Sequence, residues 1–595
     1  MSSSSWHPLA PTTIADIAVW GPLAQHVDLH VELPDGVRVV GLVRDDDDWW
    51  SVPAKTAGEL GSPADGVRYA FAVDGGDPVP DPRSLRLPEG VHGWSQVHTP
   101  PAPAPWSGRA LDGDVIYELH IGTFTPGGTF DSAVDRLDHL VELGVGFVEV
   151  LPVNAFNGEH GWGYDGVGWF AVHEPYGGPD GLIRFVDACH ARGLGVIVDA
   201  VYNHLGPSGN HLPEFGPYFT GGANNWGSTI NLAEADSDEV RAYIMASVLR
   251  WFHDFGADAL RLDAVHALVD HRAVHILEEL SVRVAELSHE LGRPLSLIAE
   301  SDLNDPRLIT SWTAGGFGLD AQWDDDVHHA IHAAVSGERQ GYYADFGSFA
   351  CLAKVLCGGF FHDGTYSSFR RRHHGRPIPV DHVPASRLVV FTCNHDQIGN
   401  RAIGDRPTAY LDSGQIAITA ALVVLSPFTP MLFQGEEWAA RTPFQYFTSH
   451  PEPELADAVR TGRRAEFAEH GWHTEDVPDP QDPETFRRST LDWSEPAQPE
   501  HAAMLDFYRS LISLRSSESE LSDGSFASVT VTYDADAGWF AMHRRSWSIV
   551  CNLGTKPVGV PLNVAVAPAW GDYHETGSGL ALAAHTVAIG RRVTD

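Results

Sequence analysis

The sequence predicts an α/β protein in which a central (β/α)8 TIM barrel lies between an N-terminal β-sandwich and a C-terminal all-β domain. Three observations predict it. Between Asp114 and Ser516, eight short apolar runs alternate with longer segments of helical period. On either side of that region the pattern changes to apolar and polar residues alternating with period two. The chain, at 595 residues, is also too long for one ordinary core. Runs that are apolar throughout suit strands covered on both faces, whereas alternation marks strands with one wet face.

Residues 1–97 carry HVDLHVEL (26–33), VRVVGLVRD (37–45) and VRYAFAVDG (67–75), separated by Asp, Gly and Pro clusters, and read as antiparallel strands of a sandwich. HTPPAPAPW (98–106) opens a proline-rich linker, 98–113, that cannot sustain a hydrogen-bonded ladder. In the barrel region, 114–516, the strand candidates are VIYELHI (115–121), FVEVLPV (147–153), VIVDAVYN (196–203), ALRLD (259–263), LSLIAE (295–300), LDAQW (319–323), LVVFTC (388–393) and PMLFQG (430–435). Helical stretches such as FDSAVDRLDHLVELG (130–144) and HRAVHILEELSVRVAELSHELG (271–292) separate them, so closure into a parallel barrel is the simplest arrangement. After the helical MLDFYRSLISLRS (504–516), alternation returns in SVTVTYDADAGWFAMHRR (528–545) and SWSIVCNLG (546–554), a β-domain spanning 517–595.

Charge narrows the class of partner. Lysine and arginine total 39 against 79 acidic residues, a net charge of −40, which repels phosphate backbones and anionic lipid. Neither nucleic acid nor a membrane is expected as a partner. Five cysteines without paired spacing fit a reducing compartment, and the N-terminus shows no secretory signal, so a cytoplasmic location is expected. No HExxH, paired CxxC or EF-hand loop occurs, and neither metal nor cofactor is predicted.

In a parallel β/α barrel the C-terminal strand ends share one face, and reactive side chains gather there. Asp199, Asn203 and His204 fall at the third strand end, Arg261 and Asp263 at the fourth, Glu300 at the fifth, and His395 and Asp396 at the seventh. Three carboxylates (Asp263, Glu300 and Asp396) thus converge on one mouth. Mutual repulsion raises the pKa of at least one, while Arg261, two positions from Asp263 on the same strand face, holds that one as the anion. A neutral carboxyl beside an ionised one is what glycoside hydrolysis requires. Trp162, Tyr164 and Trp226 sit in glycine-rich loop segments and offer flat rings to a pyranose face.

DAVYNH (199–204), RLDAVH (261–266), the Glu of IAES (298–301) and TCNHDQ (392–397) resemble the four signature segments of the α-amylase family of retaining glycoside hydrolases, in order and in strand placement. The resemblance implies that Asp263 is the nucleophile, Glu300 the acid/base and Asp396 the transition-state stabiliser. It also implies that Arg261, His204 and His395 line the subsite with the stacking Tyr164. ELHIGTFTPGGTF (118–130), WGYDGV (162–167), with Asp165 next to that tyrosine, and LFQGEEW (432–438) resemble the trehalohydrolase branch of the family. That branch cleaves the α-1,4 bond beside the terminal trehalose of a malto-oligosyltrehalose, and its members pair functionally with a malto-oligosyltrehalose synthase. Two departures stand out. GWFAVHEPYGGP (168–179) replaces a Tyr-Ala-Pro loop, and His266 occupies a position where many α-amylases carry Lys-His. Asp199 and Asn203 match positions near the structural calcium of some amylases, though this branch is not expected to need it. The competing readings are a glycogen branching or debranching enzyme, a barrel that binds carbohydrate without catalysis, and a metal-dependent aldolase or isomerase. The last is disfavoured because Lys354, the single lysine between 114 and 516, is far from any strand end.

Overall fold

Eight parallel strands close into a ring: β1 (Ile116–Leu119), β2 (Phe147–Val150), β3 (Gly195–Ala200), β4 (Ala259–Leu262), β5 (Ser296–Ala299), β6 (Ala321–Trp323), β7 (Leu388–Phe391) and β8 (Thr429–Phe433). Each pairs with its sequence neighbour, and β8 pairs with β1 to complete the barrel. This is a computed structural model, and it describes residues 13–60, 65–224, 227–469, 473 and 476–593. All eight expected strands are present, trimmed by a few residues at their ends because the barrel pairs only the central part of each apolar run.

Side chains alternate between the two faces of a strand, so every second residue points into the barrel. Ile116, Phe147, Ile197, Ala259, Ile298, Ala321, Val389 and Met431 form a fully buried cluster, one residue from each strand. Two positions further along, the same face carries Glu118, Glu149, Asp199, Arg261, Glu300, Trp323, Phe391 and Phe433. The apolar layer therefore plugs the lower barrel, and the inward polar groups emerge above it at the C-terminal mouth.

Two sequence expectations needed revision. VRVVGLVRD is not one strand: Gly36–Gly41 joins a four-stranded sheet and Val43–Arg44 a three-stranded one, with the buried Leu42 at the crossing between the two layers. FDSAVDRLDHLVELG forms two short helices, Phe130–Val134 and Leu137–Leu143, broken at Asp135–Arg136. The proline-rich segment has no regular structure but is tied to the barrel. Trp106 stacks on His190 at 4.6 Å and donates its indole N–H to Asp258 at 2.7 Å.

C-terminal to the barrel, helix Pro499–Ser517 leads to sheets of five and three strands. Arg515 on this helix is buried and donates to the carbonyls of Gly113, Val424, Ser426 and Phe428. It thereby ties the start of the barrel to the turn before β8. Substitution Arg515→Met would take the partner from four carbonyls, three of them buried, and is expected to destabilise the protein by about 3 kcal/mol. Chemical denaturation of the two proteins measures it.

Candidate active site

Arg261 is the hub of the mouth. Its guanidinium is 1 % exposed and donates through Nη1 to both Asp199 oxygens at 2.9 Å and to Asp263 Oδ1 at 2.7 Å. Its Nη2 lies 3.8 Å from Glu300 Oε2, and its planar head covers the Trp323 ring at 4.4 Å. A single cation thus touches carboxylates from β3, β4 and β5. Burying it without these partners would be costly, and with them it fixes the spacing of all three.

Asp263 follows the end of β4. Its Oδ1 faces Arg261, and its Oδ2 accepts from Asn203 Nδ2 at 2.9 Å. The next residue, Ala264, adopts a left-handed conformation with φ of +39°, a strained geometry for alanine that persists only where the surroundings impose it. In this conformation its N–H points at Glu300 Oε2, 2.6 Å away. With Oε2 occupied, Oε1 remains to carry a proton. Burial, followed by the opposing effect of Arg261 and the repulsion of Asp263 and Asp396, pushes the Glu300 carboxyl up to about 8. At neutral pH it is an acid.

Asp396 opens the short helix His395–Gly399, capped by Asn394, which accepts the Asp396 and Gln397 N–H groups. Its Oδ2 is 3.6 Å from His395 Nε2 and its Oδ1 accepts from Asn400 at 3.2 Å. Its charge acts on both Glu300 and Tyr164, and His395, which it adjoins, contacts the Tyr164 hydroxyl, so the third acid faces the same mouth. The Tyr164 hydroxyl bridges Asp199 and His395, 2.7 Å from each, and its ring stacks on the imidazole at 5.4 Å. His204 Nε2 contacts the Tyr164 carbonyl at 3.0 Å. Asp199 and Asn203 direct their polar atoms to Arg261, Tyr164, Asp263 and His204.

A family model described as "Alpha amylase, catalytic domain" matches residues 95–214, and one described as "Domain of unknown function (DUF3459)" matches 524–589. A protein of Mycobacterium tuberculosis (strain CDC 1551 / Oshkosh) named malto-oligosyltrehalose trehalohydrolase is 56 % identical over 583 residues, 96 % of this chain and 98 % of that one. One of the same name from Arthrobacter ramosus is 57 % identical over 582 residues, 96 % and 99 % of the two chains. The chain belongs to the malto-oligosyltrehalose trehalohydrolase family. A crystal structure described as a putative alpha amylase from Salmonella typhimurium superposes with a TM-score of 0.87 at 35 % identity, covering 97 % of each chain.

The remaining sequence-predicted positions of this trehalohydrolase-family chain differ in their fate. Trp162 does not offer its ring to a sugar from an open loop: it is 6 % exposed, stacks on Phe444 at 5.3 Å and donates its N–H to the Gln445 carbonyl. The reason is a cover supplied from far along the chain, by 444–447, which turns the ring into a wall of a small aromatic core. Asp165 lies on the same loop, 3.4 Å from His450. His266 sits on the turn Val265–Ala267, just past Asp263. Trp226 lies outside the described residues.

Four mouth residues were missed. Glu118 and Glu149 face each other across β1 and β2, each 1 % exposed. Trp323 ends β6, and Asp325 starts the following helix, where burial and then Asp396 push its carboxyl up to about 7. A lone carboxylate inside an apolar strand run was the available signal for the two glutamates. Applying the strand-end rule to the sixth strand would have found the other two.

Proposed function

We propose that the chain hydrolyses the α-1,4-glucosidic bond next to the terminal trehalose of malto-oligosyltrehalose, releasing trehalose by a retaining double displacement. One observation supports the chemistry above all: Asp263 and Glu300 meet on one guanidinium, at the mouth that Asp396 faces through His395. The substrate rests on the named relatives, which match this chain over nearly its whole length.

In the first step Glu300 delivers its Oε1 proton to the bridging oxygen as the C1–O bond breaks, and an Asp263 oxygen bonds to C1 from the opposite face. Trehalose leaves and the malto-oligosyl group stays on Asp263. Glu300, now ionised, takes a proton from water, whose oxygen attacks C1 and frees Asp263. Two inversions give net retention. Asp396 binds ring hydroxyls most strongly as the sugar flattens, which favours the transition state over the ground state. Tyr164, Arg261, His204, His266, His395, Asp165, Asp199 and Asn203 shape the subsite around the cleaved bond.

Cytoplasmic action, paired with a synthase that converts the reducing end of a maltodextrin into trehalose, completes the reading. Five free cysteines, four of them buried, suit a reducing compartment. Chromatography of products from malto-oligosyltrehalose and from the matching maltodextrin tests the proposal. Free trehalose from the first, at a rate well above cleavage of the second, is expected; equal rates would overturn it.

The acid form of Glu300 exists below about 8 and is lost above it, so kcat/KM is expected to fall as pH rises through about 8. A pH–rate profile taken below saturation shows where that limb lies.

A further inference from the structure

The polar side chains of the mouth form one continuous hydrogen-bonded chain whose far end is Glu118, inside the barrel on β1. Its order and direction follow from donor and acceptor chemistry. Asp199 holds two Arg261 contacts, at 2.9 Å each, and the Tyr164 hydroxyl at 2.7 Å. A carboxylate only accepts, so the Tyr164 proton points to Asp199. The Tyr164 oxygen must then accept from His395 Nε2, 2.7 Å away, which requires a proton on that nitrogen. On the opposite edge of the ring, Nδ1 is 2.6 Å from Glu118 Oε1, while Glu118 Oε2 accepts the His395 backbone N–H at 3.1 Å. The backbone N–H donated to Oε2 favours the carboxylate form, and a carboxylate oxygen only accepts, so the 2.6 Å contact puts a proton on Nδ1 as well. With both nitrogens protonated, the ring is an imidazolium.

We propose that Glu118 is a positioning residue that keeps His395 doubly protonated, so that a fixed cation faces Asp396 and orders the Tyr164–Asp199–Arg261 chain leading to Asp263. This deepens the glycosidase reading and rests on it for the catalytic consequence.

Charged and titratable groups face the ring from every side. Asp396 stands on its own helix, Glu118 on β1, Glu149 on β2, Asp199 on β3 and Arg261 on β4, with His120 just past β1. Burial and Arg261 oppose the cation, whereas Asp396 and Glu118 favour it. The balance lifts His395 to about 9. Glu149 has no hydrogen-bond partner for either oxygen, and burial drives its carboxyl well above the ordinary range. Of the paired glutamates, Glu118 alone contacts the imidazole.

Neutralising Glu118 removes the anion in contact with Nδ1. The Gln oxygen can still accept the Nδ1 proton, so the ring keeps its place while its second proton is held less tightly. Once Nε2 is bare, it competes with Asp199 for the Tyr164 hydroxyl, and the chain to Arg261 is rewired.

The test is Glu118→Gln in the full chain, read in two ways. Imidazole NMR of the substrate-free protein, with the His395 signal identified by its loss in His395→Gln, follows the ring's titration. In Glu118→Gln that transition is expected at least about one unit lower than in the wild type. Loss of the second His395 proton then adds to the Glu300 limb, so kcat/KM for malto-oligosyltrehalose relative to its value at pH 5.5 should lie about twofold below the wild-type ratio at pH 8 and about fivefold below it at pH 9. Glu118→Asp should restore most of both. An unmoved His395 transition overturns the proposal, as does a loss of rate by one factor at every pH. Should Glu118→Gln fail to fold, the wild type decides: a His395 transition well above the ordinary 6.5 supports the proposal, and one at or below 6.5 overturns it. If the wild type releases no trehalose, the substrate reading fails, while the NMR titration still judges the role of Glu118.

Discussion

Asp263→Asn is expected to fold normally and to lose on the order of 10^4- to 10^6-fold in kcat, the scale at which removal of a nucleophile leaves only positioning and electrostatic stabilisation. At tenfold per 1.36 kcal/mol, this corresponds to about 5.5–8 kcal/mol of transition-state stabilisation. The replacement is nearly isosteric and its amide oxygen can keep the Arg261 contact now made at 2.7 Å. The amide nitrogen then meets Asn203 Nδ2, a donor against a donor. Flipping the Asn203 amide would relieve that clash but break its contact with His204. A stability loss of about 1 kcal/mol follows, far too small to unfold the barrel. Because an amide at this position cannot form the ester, substrate should bind and remain intact, so calorimetric titration can measure affinity without turnover. Near-wild-type hydrolysis by this variant would remove Asp263 from the mechanism. Strong binding with no burst of trehalose places the loss in the covalent step.

The barrel was legible because strands buried on both faces must be apolar throughout, and eight such runs survive in the sequence. The acids were legible because the strand-end rule turns sequence position into spatial position. Legibility stopped where one part of the chain covers another. Trp162 is surrounded by glycines, and nothing local announces that Phe444 and Gln445, nearly three hundred residues later, close over it. Glu118 and Glu149 were hidden for a different reason. VIYELHI and FVEVLPV are dominated by apolar residues, and the glutamates were absorbed into the pattern although an ionisable group on a doubly buried strand is rarely tolerated without a task or a partner. VRVVGLVRD misled in a third way, since period-two alternation continues through a crossing from one sheet to the next and carries no mark of it.

Glu300→Gln separates the two halves of the proposed mechanism. Loss of an acid/base group costs about 10^2- to 10^4-fold when the leaving group needs its proton. Trehalose leaves as an alcohol and requires it, so cleavage of malto-oligosyltrehalose should fall by that factor. A malto-oligosyl fluoride departs with little assistance, and the glycosyl-enzyme step should largely recover. The second step still lacks its base, so the intermediate should accumulate. Azide, an anion that needs no deprotonation, should then discharge it as the α-glycosyl azide. The limb near pH 8 should vanish from the residual activity, because the group that titrates there is gone. Stability supplies an independent check with a definite sign. A carboxyl whose folded-state pKa is raised from 4.5 to about 8 is harmless below about 4.5 and costs folding free energy progressively as pH rises through that window. Glu300→Gln should therefore gain in unfolding midpoint over the wild type at pH 7 and show little gain at pH 4. A variant that lost activity but gained nothing at pH 7 would mean that Glu300 is not a buried neutral acid, and its role as proton donor would have to be reassigned.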